Sequence, residues 1–111
     1  MAQDNRLQAT YTKSIEDTIQ RCRNTLLAKN KEYAPEFDPL ANFKKGAKMS
    51  GLTPEQVLFM YCAKHLVSIR DIVFKEVPSN KEIIREKTGD IINYMMLLNA
   101  LQDEKDVSIE A

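Results

Sequence analysis

Apolar residues return every three or four positions along four stretches of this chain, and no stretch alternates with the period of two that a half-buried strand requires. Ser14-Ile15-Glu16-Asp17 offers a hydroxyl cap followed by acids, and Ile15, Ile19, Cys22 and Leu26 then line one side, which predicts a first helix from Ser14. Pro35 and Pro39 forbid its continuation. Asp38-Pro39 reads as a cap with proline at the first helical position of a short second helix, carrying Leu40, Phe43 and Ala47 inward and ending near Gly51. Thr53-Pro54-Glu55-Gln56 repeats the start signal, with Gln56 placed to close a capping box. The third helix runs to about Lys75 and turns Leu58, Tyr61, Cys62, His65, Ile69, Ile72 and Val73 inward. After the turn Val77-Pro78-Ser79-Asn80, a fourth helix spans 81–103, with Ser79 and Glu82 spaced as a second capping box. The pattern predicts an all-α single domain over residues 1–111, with an ordered core about 12–103 and flexible tails at both ends.

The fourth helix carries the chemistry. Glu82, Glu86, Asp90, Asn93 and Leu97 fall along one side, and Ile84, Ile91, Tyr94, Met95 and Leu98 cover the other. From Ile91 to Leu98 only Asn93 is clearly polar, so this half is expected to be buried almost all round. Burying a carboxylate costs several kcal/mol unless a cation or hydrogen-bond donors satisfy it. Glu86 and Asp90, one turn apart, are therefore candidate catalytic and metal-binding acids, or else partners of basic residues on a neighbouring helix. Gly89 between them costs about 1 kcal/mol in a helix interior, which suits a place where a backbone or a ligand comes close.

Ile92, Met96 and Leu97 lie outside the main stripe of the fourth helix, and Met60, Val67 and Phe74 outside that of the third. This surplus is either extra core or a second buried surface, most simply a homo-oligomer interface. With 16 basic and 16 acidic residues the net charge is zero, so no global field draws the chain to duplex nucleic acid or an anionic membrane. No apolar run is long enough to span a bilayer, and no charged-then-apolar leader is legible. Cys22 and Cys62 lack the spacing of a metal or redox motif and read as buried free thiols of a cytoplasmic protein. His65, alone on an apolar face, reads as a core histidine.

Lys44, Lys45 and Lys48 cluster on the second helix, and Lys64 lies on a polar strip of the third. Each is either a phosphate ligand or part of a solvated face. Between the first two helices, Glu32, Tyr33, Glu36, Phe37 and Asp38 combine acids suited to a hard cation such as Mg²⁺ with rings that stack on a base. The glycine-rich signatures of P-loop, dinucleotide and hydrolase-elbow sites are absent.

Five segments carry a resemblance: K-N-K-E-Y from Lys29, N-F-K-K-G-A from Asn42, P-E-Q-V-L from Pro54, A-K-H-L-V-S from Ala63, and E-K-T-G-D-I-I-N-Y-M-M-L-L from Glu86. Over roughly residues 26–102 the chain resembles the nucleotide-modification-associated domain proteins of phages and prophages, distant relatives of MazG-like all-α nucleotide pyrophosphohydrolases. The resemblance implies a four-helix MazG-like bundle completed by oligomerisation. It also implies Mg²⁺ as cofactor and a nucleotide or nucleotide-derived small molecule as partner. Glu86 and Asp90 take the place of the second metal-binding acid pair, with one extra residue between them, and Glu32 joins as a further metal ligand. Tyr33, Phe37, Lys44, Lys45, Lys48, Lys64 and Asn93 become the nucleotide-binding residues. The first acid pair departs from the family pattern, because Pro35 separates Glu32 from Glu36. Three functions stay open on these grounds. One is Mg²⁺-dependent hydrolysis of nucleoside triphosphates. Another is binding without turnover, sequestering a nucleotide or a nucleotide immune signal. The third is a helical interaction protein with no small-molecule ligand.

Overall fold

The computed structural model describes the backbone of residues 2–32 and 38–110 and the side chains of residues 5–28 and 38–107. Four helices make up the described chain, α1 (Ala2–Glu32), α2 (Ala41–Ser50), α3 (Pro54–Val73) and α4 (Lys81–Glu110), with no strand among the described residues. The all-α expectation therefore holds. Among the described residues no helix is long and apolar enough to cross a membrane.

The predicted start of α3 is present in full. Thr53 Oγ1 accepts from the Gln56 backbone N–H at 3.2 Å, and Gln56 Oε1 accepts from the Thr53 N–H at 2.9 Å. The other starts differ. Asp38 closes a turn ahead of α2 instead of capping it: its carbonyl accepts from the Ala41 N–H at 3.0 Å and its Oδ1 from the Leu40 N–H at 2.9 Å. At α4 the cap is Asn80, whose Oδ1 accepts from the Ile83 N–H at 3.0 Å. Ser79 thus lies outside the helix, and Glu82 pairs with Arg85 at 3.2 Å on the surface. Ser14 is interior to α1, where its carbonyl accepts from the Thr18 hydroxyl at 2.8 Å. Both outer helices outrun their expected limits, α1 upstream to Ala2 and α4 downstream to Glu110.

The core sits where α2, α3 and the C-terminal half of α4 meet. Leu40, Phe43, Val57, Leu58 and Leu101 form it, with Tyr94, Leu97 and Leu98 packed around them. Phe43 meets the rings of Tyr61 and Tyr94 edge-on at 5.9 and 6.4 Å. Gly46 lets α2 press onto α3, because a Cβ there would lie 3.0 Å from Val57 Cγ1. Polar ties close the same end of the molecule. Lys44 bridges Asp38, at 2.7 Å, and Glu104, while Lys105 reaches Glu55 at 2.8 Å. Lys44 holds the Asp38 carboxyl below the usual carboxylate range, and Lys105 does the same for Glu55.

α1 packs against α4 alone. Asp17 feels the charge of Arg85, and the Cys22 thiol lies 3.8 Å from the Gly89 carbonyl, so the two helices advance in the same direction. With Cys22 level with Gly89, eight residues after Lys81, the first residue of α4 stands level with position 14 of α1 (22 − 8 = 14). Everything upstream projects past the end of its only partner. The shape reflects this. The radius of gyration is 17.5 Å, against about 13 Å for a compact domain of this length.

One expectation about α4 is corrected. No residue from Ile91 to Leu98 is fully buried, and Met95 and Met96 each remain 37% exposed. Glu86 is exposed and the Asp90 side chain is 42% exposed. The reason is geometric: α4 is covered by α1 along one flank and by α3 along another, which leaves its outer side in water.

Two predictions follow from the chain ends and turns. α3 closes in a Schellman turn, with Glu76 N–H bonded to the Asp71 carbonyl at 2.9 Å and Lys75 N–H to the Ile72 carbonyl at 3.0 Å. Lys75 occupies the left-handed position there, with φ of 62°. Lys75→Gly should raise stability by about 0.5–1 kcal/mol in urea unfolding, since glycine adopts that conformation without a Cβ clash. For the Lys44 bridge, Lys44→Met should cost about 0.5–1 kcal/mol at neutral pH, a modest value because both Lys44 and Asp38 remain over a third exposed to screening solvent. The Asp38 pKa is lowered on folding, so its contribution is present above the unfolded value of 3.8 and fades as pH falls through the folded one. The stability gap between wild type and Lys44→Met, followed by circular dichroism melts, should therefore narrow below that pH.

Candidate functional site

Where α1 lies along the first turns of α4, the two helices enclose a groove of about 370 Å³. α1 supplies Arg21, Cys22 and Thr25, and α4 supplies Glu82, Arg85, Glu86, Gly89, Asp90 and Asn93. Helical spacing explains both walls. Residues 82, 86, 89, 90 and 93 recur on one side of α4, and 21, 22 and 25 on one side of α1. The Gly89 carbonyl faces the Cys22 thiol at 3.8 Å. Burial pushes that thiol above its ordinary value, so it stays protonated at neutral pH.

The groove gathers three of the residues expected to form a site, Glu86, Asp90 and Asn93. It does not gather the lysines. α2 packs on α3 and on the C-terminal half of α4, so Lys45 and Lys48 do not line the groove, and Lys44 is committed to Asp38 and Glu104. Lys64 is exposed on α3 and does not line the groove. Tyr33 and Phe37 lie outside the described residues, as does the side chain of Glu32. Arg21, Thr25 and Arg85 are the additions that sequence reasoning missed. Their signal was faint: Arg21 and Thr25 sit one turn apart beside the Cys22 stripe, a flank that on most helices is simply wet.

The charges within the groove are unevenly matched. Arg85 is engaged by Glu82 at 3.2 Å, and Asp90 Oδ2 lies 3.5 Å from His65 Nδ1 of α3, beyond a good hydrogen bond. Arg21 donates to the Thr18 hydroxyl at 3.2 Å, and its charge acts on the Asp17 carboxylate one turn earlier, though it forms no salt bridge among the described residues. Glu86 likewise has no salt-bridge partner among them. Asn93 Oδ1 is buried and unbonded among the described residues, a loss of about 1–3 kcal/mol unless something donates to it. One groove thus presents a cation and a carboxylate outside any salt bridge among the described residues, and an orphaned acceptor. On the α3 side, His65 lies 5.6 Å from the Tyr94 ring, and burial, reinforced by Asp90, raises the Tyr94 phenol above its ordinary value.

Glu86 and Asp90 are hard oxygen donors of the kind Mg²⁺ takes. Among the described residues no group of three or more histidine, cysteine, aspartate or glutamate side chains converges to hold a metal. Two carboxylates fit an ion that keeps its waters and shares a ligand's phosphates, and they do not make an all-protein cage. Comparison with known proteins returns no match: no family model, no curated protein and no solved structure is similar to the chain.

Gly89 offers a direct test of what the groove is for. A Cβ there would meet only Cys22 Sγ, at an ordinary 3.9 Å. Gly89→Ala should therefore fit and raise stability by about 0.5–1 kcal/mol in thermal or urea unfolding, the gain in helix propensity. A loss of stability would mean that α1 and α4 need the glycine for their own contact.

Proposed function

We propose that this chain is a nucleotide-handling protein whose α1–α4 groove takes a phosphorylated nucleotide together with Mg²⁺. The observation that carries this reading is the coexistence in one groove of Arg21 and Glu86, neither held in a salt bridge among the described residues. A ligand that brings both a metal cation and phosphate oxygens satisfies both at once. In this reading Glu86 and Asp90 hold the ion from one side, Arg21 takes phosphate oxygens from the other, and a donor on the ligand meets Asn93 Oδ1. Mg²⁺, when bound, neutralises phosphate charge and acidifies a bound water. The resemblance to nucleotide-modification-associated and MazG-like proteins supports the same ligand class on its five motif segments.

Retention of the nucleotide without turnover is the activity we favour, because the MazG pattern needs two acid pairs and the groove supplies one. Pyrophosphohydrolysis is the second reading. It requires Glu32 or Glu36 from the segment before α2, and their side chains lie outside the described residues. We also place the protein in the cytoplasm as a homo-oligomer. Support for the oligomer comes from the exposed surface of 8820 Å², about 2,600 Å² more than a compact monomer of this mass presents.

Calorimetric titration with each of the four deoxynucleoside triphosphates, with and without Mg²⁺, tests the reading. Wild type should bind at least one of them in a Mg²⁺-dependent manner. Arg21→Gln and Glu86→Gln should each weaken binding by about 10- to 100-fold, the loss of a charge-assisted contact worth about 1.5–3 kcal/mol. Both side chains are surface groups, so melting temperatures should barely move. Absence of binding in wild type would remove the proposal. Release of pyrophosphate during the titration would select hydrolysis over retention.

A further inference from the structure

Upstream of about position 14, α1 packs on no other helix among the described residues. Residues 5–17 are all exposed, and α1 reaches α4 only from about position 14 onward. An isolated helix of this length is marginal in water. This one also wastes apolar area: Leu7 is 66% exposed, Tyr11 68%, Ile15 42% and Ile19 57%. These four recur at four-residue steps within an arc of about 120°, and Cys22 and Leu26, which lie against α4, fall inside the same arc. The projecting stripe is thus a continuation of a packing face, carried past the point where α4 ends.

A second unpartnered face lies on α3. Phe59, Leu66 and Val73 recur every seven residues, and Met60, Val67 and Phe74 form a parallel row beside them; all six are exposed. Residues seven apart stand on the same side of a helix, so these six make one continuous exposed apolar face. From Met60 to Phe74 it extends about 21 Å, and the α1 stripe from Leu7 to Ile19 extends about 18 Å. α1 and α3 do not pack together within one chain. Beside the first stripe stands Glu16 and beside the second Lys64, neither with an ion-pair partner among the described residues.

We propose that the N-terminal half of α1 is an intermolecular arm, whose exposed Leu7–Tyr11–Ile15–Ile19 stripe lies on the exposed apolar face of α3 in a second copy. A twofold pair makes this contact twice, once with each arm, and leaves neither stripe in water. The area argues for a second copy: two chains together carry about 5,200 Å² of surface in excess of compact monomers, at the upper end of what permanent dimers bury between them. The arm also runs directly into Arg21, so the partner would stand at the open edge of the α1–α4 groove. This inference sharpens the oligomer reading and is independent of the nucleotide one.

Light scattering behind a sizing column, on the full chain over a micromolar concentration series, provides the test. Wild type should elute with the mass of a dimer or a multiple of it. Leu7→Glu/Tyr11→Glu should raise the dissociation constant at least tenfold and lower the helical signal as the freed arm unwinds, while the α2–α3–α4 core melts unchanged. Glu16→Lys and Lys64→Glu should each weaken assembly, and the two together should restore it. An oligomeric wild type whose mass survives the arm substitutions overturns the arm and leaves the oligomer standing. A monomeric wild type overturns both, as does a monomer that floats with phosphatidylglycerol vesicles. The nucleotide titration judges the groove separately.

Discussion

α4 has to serve two partners at once, and the rest of the architecture follows from how it divides its surface. Its C-terminal half contributes Leu101 to the core with Leu40, Phe43, Val57 and Leu58. Its N-terminal half takes α1, at the Cys22–Gly89 contact. A single helix can bury about a third to a half of its circumference against each neighbour, so two neighbours leave a third side wet. That division explains why Leu58 and Cys62 are the largest fully buried side chains, and why the apolar run Ile91–Leu98 is only partly covered. A core this small gives little margin, which makes the peripheral ties matter. Lys44 and Lys105 cross from α2 and α4 to acids on neighbouring segments and hold the C-terminal half of α4 in place.

The same division creates the groove. Two helices that run side by side in the same direction leave a trough between their flanking side chains. Whichever residues stand beside the contact stripe line that trough. Here those residues are arginines on one wall and at the corner, carboxylates on the other, and a buried amide oxygen with no partner among the described residues. The charges do not simply cancel: Arg85 is occupied by Glu82, while Arg21 and Glu86 form no salt bridge among the described residues. A structural ion-pair network would close such gaps, because paired charges on adjacent helices gain from approach. Their persistence is what distinguishes this groove from an ordinary helix seam.

Apolar surface left in water is the other consequence. With a radius of gyration of 17.5 Å, the chain is extended along α1, and its exposed stripes on α1 and α3 are both helical in period. Surface of that kind is costly at about 25 cal/mol per Å² and is seldom left uncovered by monomers. The exposed α1 stripe leads towards Arg21, which lines the groove.

Much of the fold was legible because it rests on local rules. Threonine, proline and glutamine at 53, 54 and 56 specify a helix start through bonds made within four residues, and the structure contains both bonds. The inward set Leu40, Phe43, Leu58 and Cys62 follows from period alone, and so do the two buried free thiols. Glu86, Asp90 and Asn93 share one wall because helical spacing puts them there. What the sequence alone misassigned were choices between nearly equal local options. Asn80 displaced Ser79 as cap, and Asp38 closed a turn where a cap was expected, since each of these side chains bonds a backbone N–H equally well one residue earlier or later. The extent of α1 was missed too: Leu7 and Tyr11 continue its stripe upstream, but the cap-like Ser14-Ile15-Glu16-Asp17 suggested a start at Ser14. Tertiary structure decided the remainder. Only the placement of α1 beside α4 brings Arg21 to Glu86, and only the Asp38–Lys44–Glu104 bridge takes Lys44 out of contention as a ligand. Periodicity reports which side of a helix is buried, whereas the partner that covers it depends on contacts far apart in the chain, and those contacts are where the site is made.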